Sequence, residues 1–341
     1  MKRIQINGKP YAMDDMRKLV TIKKNNGYGK APLESWYVAA HLNRTTDRIG
    51  LQYHLLIMSA EGMPAMVSLN INLVNERAET CKSLELAFPF EALKISTDRF
   101  SVQGPDFRFE GDADQVTCYY RGEDCEIDLS CKTTRPVLKY LGEGFGDFLG
   151  AVQYGYSFPA MDTHGTIRMD DWRFPVDGIA WYDRQWGDLP TYFLNTSMKG
   201  EEMGNAEKRI SAGRTTFYNP QLSNGVVMSL GEVYQDMEGI YTYNATISEP
   251  DGTIILVELT PPECSEYWTS PTTGHRYPTK FHFTLPPVDC DLTIEVPYKP
   301  QQIVSDRGGM TKYEGAAIVT GTYKGEPVTG DCYVELLGDW Y

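Results

Sequence analysis

GTIRMDDWRFPVDGIAWYDRQWGD (165–188) and GTYKGEPVTGDCYVELLGD (321–339) read as one hairpin written twice. With four residues removed from the first turn, each runs G-T, a turn, P-V-x-G, then a strand carrying an aromatic and an acid two residues apart. Pro175-Val176-Asp177-Gly178 matches Pro327-Val328-Thr329-Gly330, Trp181 matches Tyr333 and Asp183 matches Glu335, all at a constant offset of 152 residues. Two copies of one hairpin at equivalent points predict a duplicated β-barrel unit. PVxG turns are also common between unrelated strands, so the rest of the chain has to carry the same signal.

It does. SWYVAAHL (35–42), LQYHLLIM (51–58), AMVSLNINLV (65–74), QVTCYYR (115–121) and CEIDLSC (125–131) are short, rich in β-branched or aromatic residues, and separated by turn-formers. GVVMSLGEVY, GIYTYNATI, TIILVEL, KFHFTL, DLTIEVPY, AAIVTGTY and DCYVELLG continue the style through the second half. Helical periodicity is confined to DDMRKLV (14–20) and RPVLKYLGEGFGDFLG (135–150), both short or broken by glycine. Many short strands at even spacing predict an all-β sandwich or barrel. A chain of 341 residues exceeds one ordinary core, so two domains are expected. The polar, aperiodic stretch 194–213 suggests the division: a first domain over 1–195, a linker or long loop over 196–212, and a second domain over 213–341.

Composition mainly excludes. A net charge of −14 repels phosphate backbones and anionic membranes, so nucleic acid is not an expected partner. The seven cysteines include no CxxC pair, and the five histidines form no HxH or HExxH, so neither a metal nor a disulfide framework is expected. GxGxxG and GxxxxGK[ST] are absent, as is GxSxG, which removes the nucleotide and serine-hydrolase readings and leaves no cofactor implied. The first residues carry no apolar core of a signal peptide, and no run approaches the ~20 apolar residues of a membrane span. A reduced, cytoplasmic protein is the expectation.

AWYDRQWGD (180–188) resembles the sequence that marks the carotenoid hydratase and AttH-type family. Further pieces follow in family order: LESWY (33–37), YGYSFPAM (154–161) with Gly165, LSNG (222–225), EYWTSPTTGHRYP (266–278), and YEGAAIVTG with YVELLG (313–338). The resemblance covers roughly residues 30–340, and its second half is most similar to fungal kievitone hydratase-like members. It implies two lipocalin-like (calycin) β-barrel domains in tandem, with a pocket in or between them for a hydrophobic small molecule. It implies hydration of an isoprenoid double bond, or the folding of a polyene for Diels–Alder closure as in related fungal pericyclases. In the carotenoid hydratases a histidine and tryptophan two apart, and a tyrosine and aspartate two apart, form the acid–base set. Here those places hold Tyr154 and Tyr156, then Trp181 and Asp183; only the aspartate is kept.

Residues two apart on a strand share a face, so Asp183 points where Trp181 points. If that face is the barrel interior, the carboxyl sits beside an indole in a low-dielectric pocket, where desolvation raises its pKa and keeps it available as a general acid. Protonating an alkene makes a cation that the rings of Trp181, Tyr154 and Tyr156 could stabilise. The plain alternative is that Asp183 pairs with Arg184 or Arg168 and pins the hairpin. Asp183, Tyr154 and Trp181 are therefore the candidate catalytic residues. Tyr156, Glu34, Trp36, Trp186 and His54 are the candidate substrate-binding ones. The expected activity is a cofactor-free hydratase or isomerase/cyclase acting on a carbon–carbon double bond. The competing readings are a pericyclase and a non-catalytic carrier of a lipid or pigment.

Overall fold

The computed structural model describes residues 3–6, 9–12, 31–59, 65–96, 100–140, 144–148, 151–170, 172–189, 213–235, 240–305 and 311–338. Most of the 194–213 stretch and the expected helix at 14–20 lie outside them. Two 13-stranded sheets account for nearly all of the described chain. The first is antiparallel throughout and runs spatially from Thr80–Pro89 through Met66–Asn75, Ile49–Met58, Leu33–Leu42, Trp172–Gly187, Ala151–Met169 and Cys125–Thr133 to the short strands that end at Lys94–Ile95. The second centres on Gly213–Tyr218, Glu326–Gly338 and Lys312–Tyr323 and ends at Glu263–Thr269; the hairpin Arg3–Ile6 and Lys9–Ala12 attaches to its other end through Ile254–Glu258. The fold is all-β and lipocalin-like. No helix among the described residues is long and apolar enough to cross a membrane.

The 135–150 stretch is not a helix where it is described. Leu138–Lys139 and Phe145–Phe148 pair along the first half of Ala151–Met169, so strand addition overrides a weak helical periodicity that glycine already interrupts.

The duplicated hairpin is real in register. Gly165 faces Val176 in one copy and Gly321 faces Val328 in the other. The second copy turns through Lys324 and Gly325, both at positive φ, which suits a tight hairpin. The P-V-x-G glycines have a common cause. A Cβ on Gly178 would lie 2.1 Å from the His41 carbonyl oxygen, and one on Gly330 would lie 2.2 Å from that of Gln221, so a neighbouring backbone takes the space of any side chain.

Each sheet curls round its own core. Trp36, Tyr53, Leu55, Phe109, Ile127 and Tyr182 fill the first, and Tyr218, Phe281, Phe283, Leu292 and Tyr313 fill the second. Outer strands alternate as one-sided strands should: Gln115–Arg121 buries every second residue. Leu33–Leu42 and Ile49–Met58 are buried at all ten positions each, because their second face packs on the second sheet. Along that junction Tyr37 and Ala39 meet Ala316 and Tyr333, while Leu33, Leu56 and Met58 meet Leu337. Full burial of each leucine or methionine here is worth about 1.5–3 kcal/mol. Gly50 fits only as glycine here, since a Cβ would stand 2.5 Å from that of Ala316.

Candidate active site

Period two decides which side chains reach the junction. On Leu33–Leu42, Trp36 and Val38 enter the first core while Ser35 and Tyr37 face the second sheet. On Trp172–Gly187, Tyr182 packs against Phe100, Phe109 and Phe158 inside the first barrel. Trp181 and Asp183 therefore point the other way, and Trp181 meets Phe217 of the second sheet at 5.7 Å. The face of Asp183 is not the barrel interior; it is the seam between the two sheets.

A cavity of about 210 Å³ opens in that seam. Asp183, Ser157, Ser35, Tyr37 and His54 line it from the first half, with Leu33, Leu56, Leu138 and Tyr156. Phe217, Thr215, Asn244, Glu335 and Leu337 line it from the second. Polar groups from both halves stand among apolar ones, the composition expected of a small-molecule site.

Asp183 stands opposite Tyr37 on the neighbouring strand and opposite Ser157 on the other. The Ser157 hydroxyl donates to its Oδ1. No cation lies within ion-pair distance of it among the described residues, because both arginines that could have reached it are engaged elsewhere. Arg184 forms a buried pair with Glu34, and Arg168 donates to the carbonyls of Gly122 and Asp170. Asp183 is half-buried and borders the cavity. Burial lifts its pKa to about 7 against the opposing pull of Ser157 and Trp181, and the charge of Glu335 adds to the rise.

Across the cavity a second cluster converges on Lys312. Its ammonium donates to Glu335 Oε1 at 2.8 Å and to His54 Nδ1 at 3.0 Å, and it pairs with Glu314. An ammonium has no acceptor, so His54 holds its proton on Nε2 and donates to Ser35 Oγ at 2.9 Å. Burial and Lys312 hold His54 well below the usual histidine range, so the ring is neutral. Burial alone would lower the pKa of Lys312, but Glu314 and Glu335 outweigh it and raise it. Glu314 accepts from the Tyr37 hydroxyl at 3.1 Å, and burial pushes it up to about 8 although Lys312 pulls the other way. His54, Glu314 and Glu335 bring donor atoms within 4.8 Å of one another, the spacing of a metal site; the Lys312 ammonium stands among them and makes the contacts a cation would make.

Of the sequence-derived candidates, Asp183, His54 and Tyr156 line the cavity, but the Tyr156 ring packs on Phe158, Tyr182 and Trp186 in the first barrel. Trp181 is fully buried beside it against Phe217. Tyr154 is 43% exposed and stacks on Trp186 at 5.8 Å, away from the cavity lining. Glu34 and Trp36 turn into the first barrel, where the Arg184 guanidinium lies 4.3 Å over the Trp36 ring. Sequence reasoning did not reach Ser35, Tyr37, Ser157, Lys312 or Glu314. It named Glu335 only as the repeat partner of Asp183, which was the one signal available.

A family profile described as AttH-like matches residues 26–201. No curated protein sequence matches the chain. Among solved structures, a Nitrosomonas europaea protein described as an AttH is similar at a TM-score of 0.73 with 19% identity, covering 92% of this chain and 95% of that one. Kievitone hydratase from Nectria haematococca is similar at 0.71 with 16% identity, covering 89% and 88%. CghA with Sch210972 follows at 0.59 with 13% identity, covering 90% and 88%. Across these three the likeness is one of fold.

Proposed function

The chain belongs to the AttH-like family, and from that premise we propose that it is an enzyme using acid–base chemistry on a carbon–carbon double bond of a hydrophobic small molecule, as a hydratase or an isomerase/cyclase. One observation carries the reading: Asp183 faces the cavity with no counter-ion of its own among the described residues, and its pKa is about 7. A carboxyl that is half protonated near neutrality can give up its proton and take it back within one cycle. A carrier of an apolar ligand has no use for such a group, which costs several kcal/mol when charged in a dry site.

The chemistry follows from the wall. Asp183 donates to one alkene carbon, and Ser157 keeps the carboxyl oriented. The cation that forms meets the rings of Tyr37 and Phe217 rather than those of Tyr154, Tyr156 and Trp181. Water then closes a hydration, an internal double bond a cyclisation, and proton loss an isomerisation. Every acid and base in this scheme is a side chain. The fold relatives include a hydratase, which agrees with the first outcome.

The test is incubation with hydrophobic extracts of the source cells in ordinary and then ¹⁸O-labelled water, followed by mass spectrometry. A product heavier by one labelled water identifies a hydratase; an unchanged mass with altered retention identifies an isomerase or cyclase. A ligand retained unchanged favours the carrier. Conversion undiminished in Asp183→Asn points to ring closure driven by cavity shape, without acid catalysis.

A further inference from the structure

We propose that Glu335 is the second catalytic carboxylate of this cavity, the base that complements the Asp183 acid, with Lys312 as its fixed counter-ion. This rests on the reading of Asp183 above and names its partner. The two positions are equivalent in the repeated hairpin, each two residues after a buried aromatic, Trp181 or Tyr333. Packing the sheets face to face brings both carboxyls to one cavity from opposite halves. Their partners differ in kind. Asp183 has a hydroxyl, Ser157; Glu335 has an ammonium 2.8 Å away.

The other charged groups of the cluster are closed off. The side chains of Lys312 and Glu314 are 1% and 0% exposed, against 23% for Glu335. The three donor positions of Lys312 are taken by Glu335, Glu314 and His54. Only Glu335 of this ion cluster therefore presents a carboxylate to a ligand. Acid and base divided between two environments in one site is the arrangement that directs a proton in on one side and out on the other.

The step balances. In hydration the Asp183 O–H breaks and its proton bonds to one alkene carbon. A water oxygen bonds to the other carbon, and a proton leaves that water for Glu335. The product is a neutral alcohol, with Asp183 left as carboxylate and Glu335 as acid. One proton passing back from Glu335 to Asp183 through cavity water restores both. In isomerisation Glu335 takes its proton from the carbon beside the cation, and no water is consumed.

The experiment measures conversion of the same hydrophobic extract by the parent chain, Asp183→Asn, Glu335→Gln and Glu335→Ala, the last with and without sodium formate. Both Glu335 variants should fall by about 10²–10⁴-fold, the usual worth of a general base. Formate should restore part of the Glu335→Ala rate, a response that a merely structural role for Glu335 does not predict. If the alanine variant does not fold, Glu335→Gln decides alone: inactivity with parental melting supports the proposal, and parental turnover overturns it. A folded, inactive alanine variant that formate leaves inactive makes Glu335 a support for Lys312 and also overturns it. Loss in Asp183→Asn with normal turnover in both Glu335 variants defeats this proposal alone. A parent chain that converts nothing defeats the enzyme reading with it.

Discussion

Asp183 and Arg184 are neighbours in sequence and opposites in environment. Arg184 enters the first barrel, pairs with Glu34, and lies over the rings of Trp36 and Trp186. Asp183 leaves the opposite face of the strand toward the seam, where a serine hydroxyl is its hydrogen-bond partner. Arg184 is fully buried, and Asp183 is half-buried at the cavity. One carries a charge with its counter-charge, the other a carboxyl that burial pushes toward neutrality. A buried charge with a partner serves the fold, because removing either member strands the other. A buried carboxyl without one is neutralised by a proton, and that proton is available for chemistry.

The largest effect should come from breaking the paired side. Glu34→Ala removes the buried counter-charge of Arg184, whose side chain is 1% exposed, and a loss of about 3–5 kcal/mol is expected in urea unfolding. A variant as stable as the parent would mean that Arg184 finds solvent or another partner, and the contrast between the two faces would fail.

The unpaired side should respond to pH instead. The folded chain holds a proton on Asp183 up to about pH 7, whereas the unfolded chain loses it near ~4. More protons are bound when folded across that window, so the contribution is complete below the lower value, falls as pH rises, and levels off above the higher one. Glu314, raised to about 8, adds a slope of the same sign. Asp183→Asn should flatten the part of the stability–pH curve between ~4 and ~7 and be at least as stable as the parent at pH 8. Identical curves for the two proteins, followed by thermal melting, would show that Asp183 is an ordinary solvated carboxylate.

The smallest effect tests the seam itself. Tyr37→Phe removes the 3.1 Å hydrogen bond to Glu314 that joins the two halves, and should cost about 0.5–1.5 kcal/mol in the same unfolding assay. A much larger loss would indicate that the hydroxyl governs how the sheets sit together and so shapes the cavity.

Strand positions were legible because period-two patterning is local. Gln115–Arg121 has the bounds its sequence suggested, and the doubly buried Leu33–Leu42 and Ile49–Met58 exceed theirs by two residues each. Asp183 was legible through its repeat and its family resemblance. Glu34 was misleading: period two correctly places it with Trp36 but says nothing of which side of the sheet holds the ligand. Lys312 and Glu314 left no signal, since an alternating Lys-x-Glu reads as a solvated strand face until a second sheet covers it.

By itself the sequence determined that this chain is dominated by strands, that it carries a repeated hairpin, and that Asp183 and Glu335 occupy equivalent places in it. Those properties depend on neighbours in the chain, where backbone geometry sets which side chains share a face. The tertiary structure alone decided that this face is a seam and not a barrel interior, that Arg184 belongs to Glu34, and that Lys312 belongs to Glu335. Burial and ion pairing depend on distances in space between residues far apart in sequence; Arg184 and Glu34 are separated by 150 positions. Until the sheets close on each other, Asp183 lacks the environment that raises its pKa.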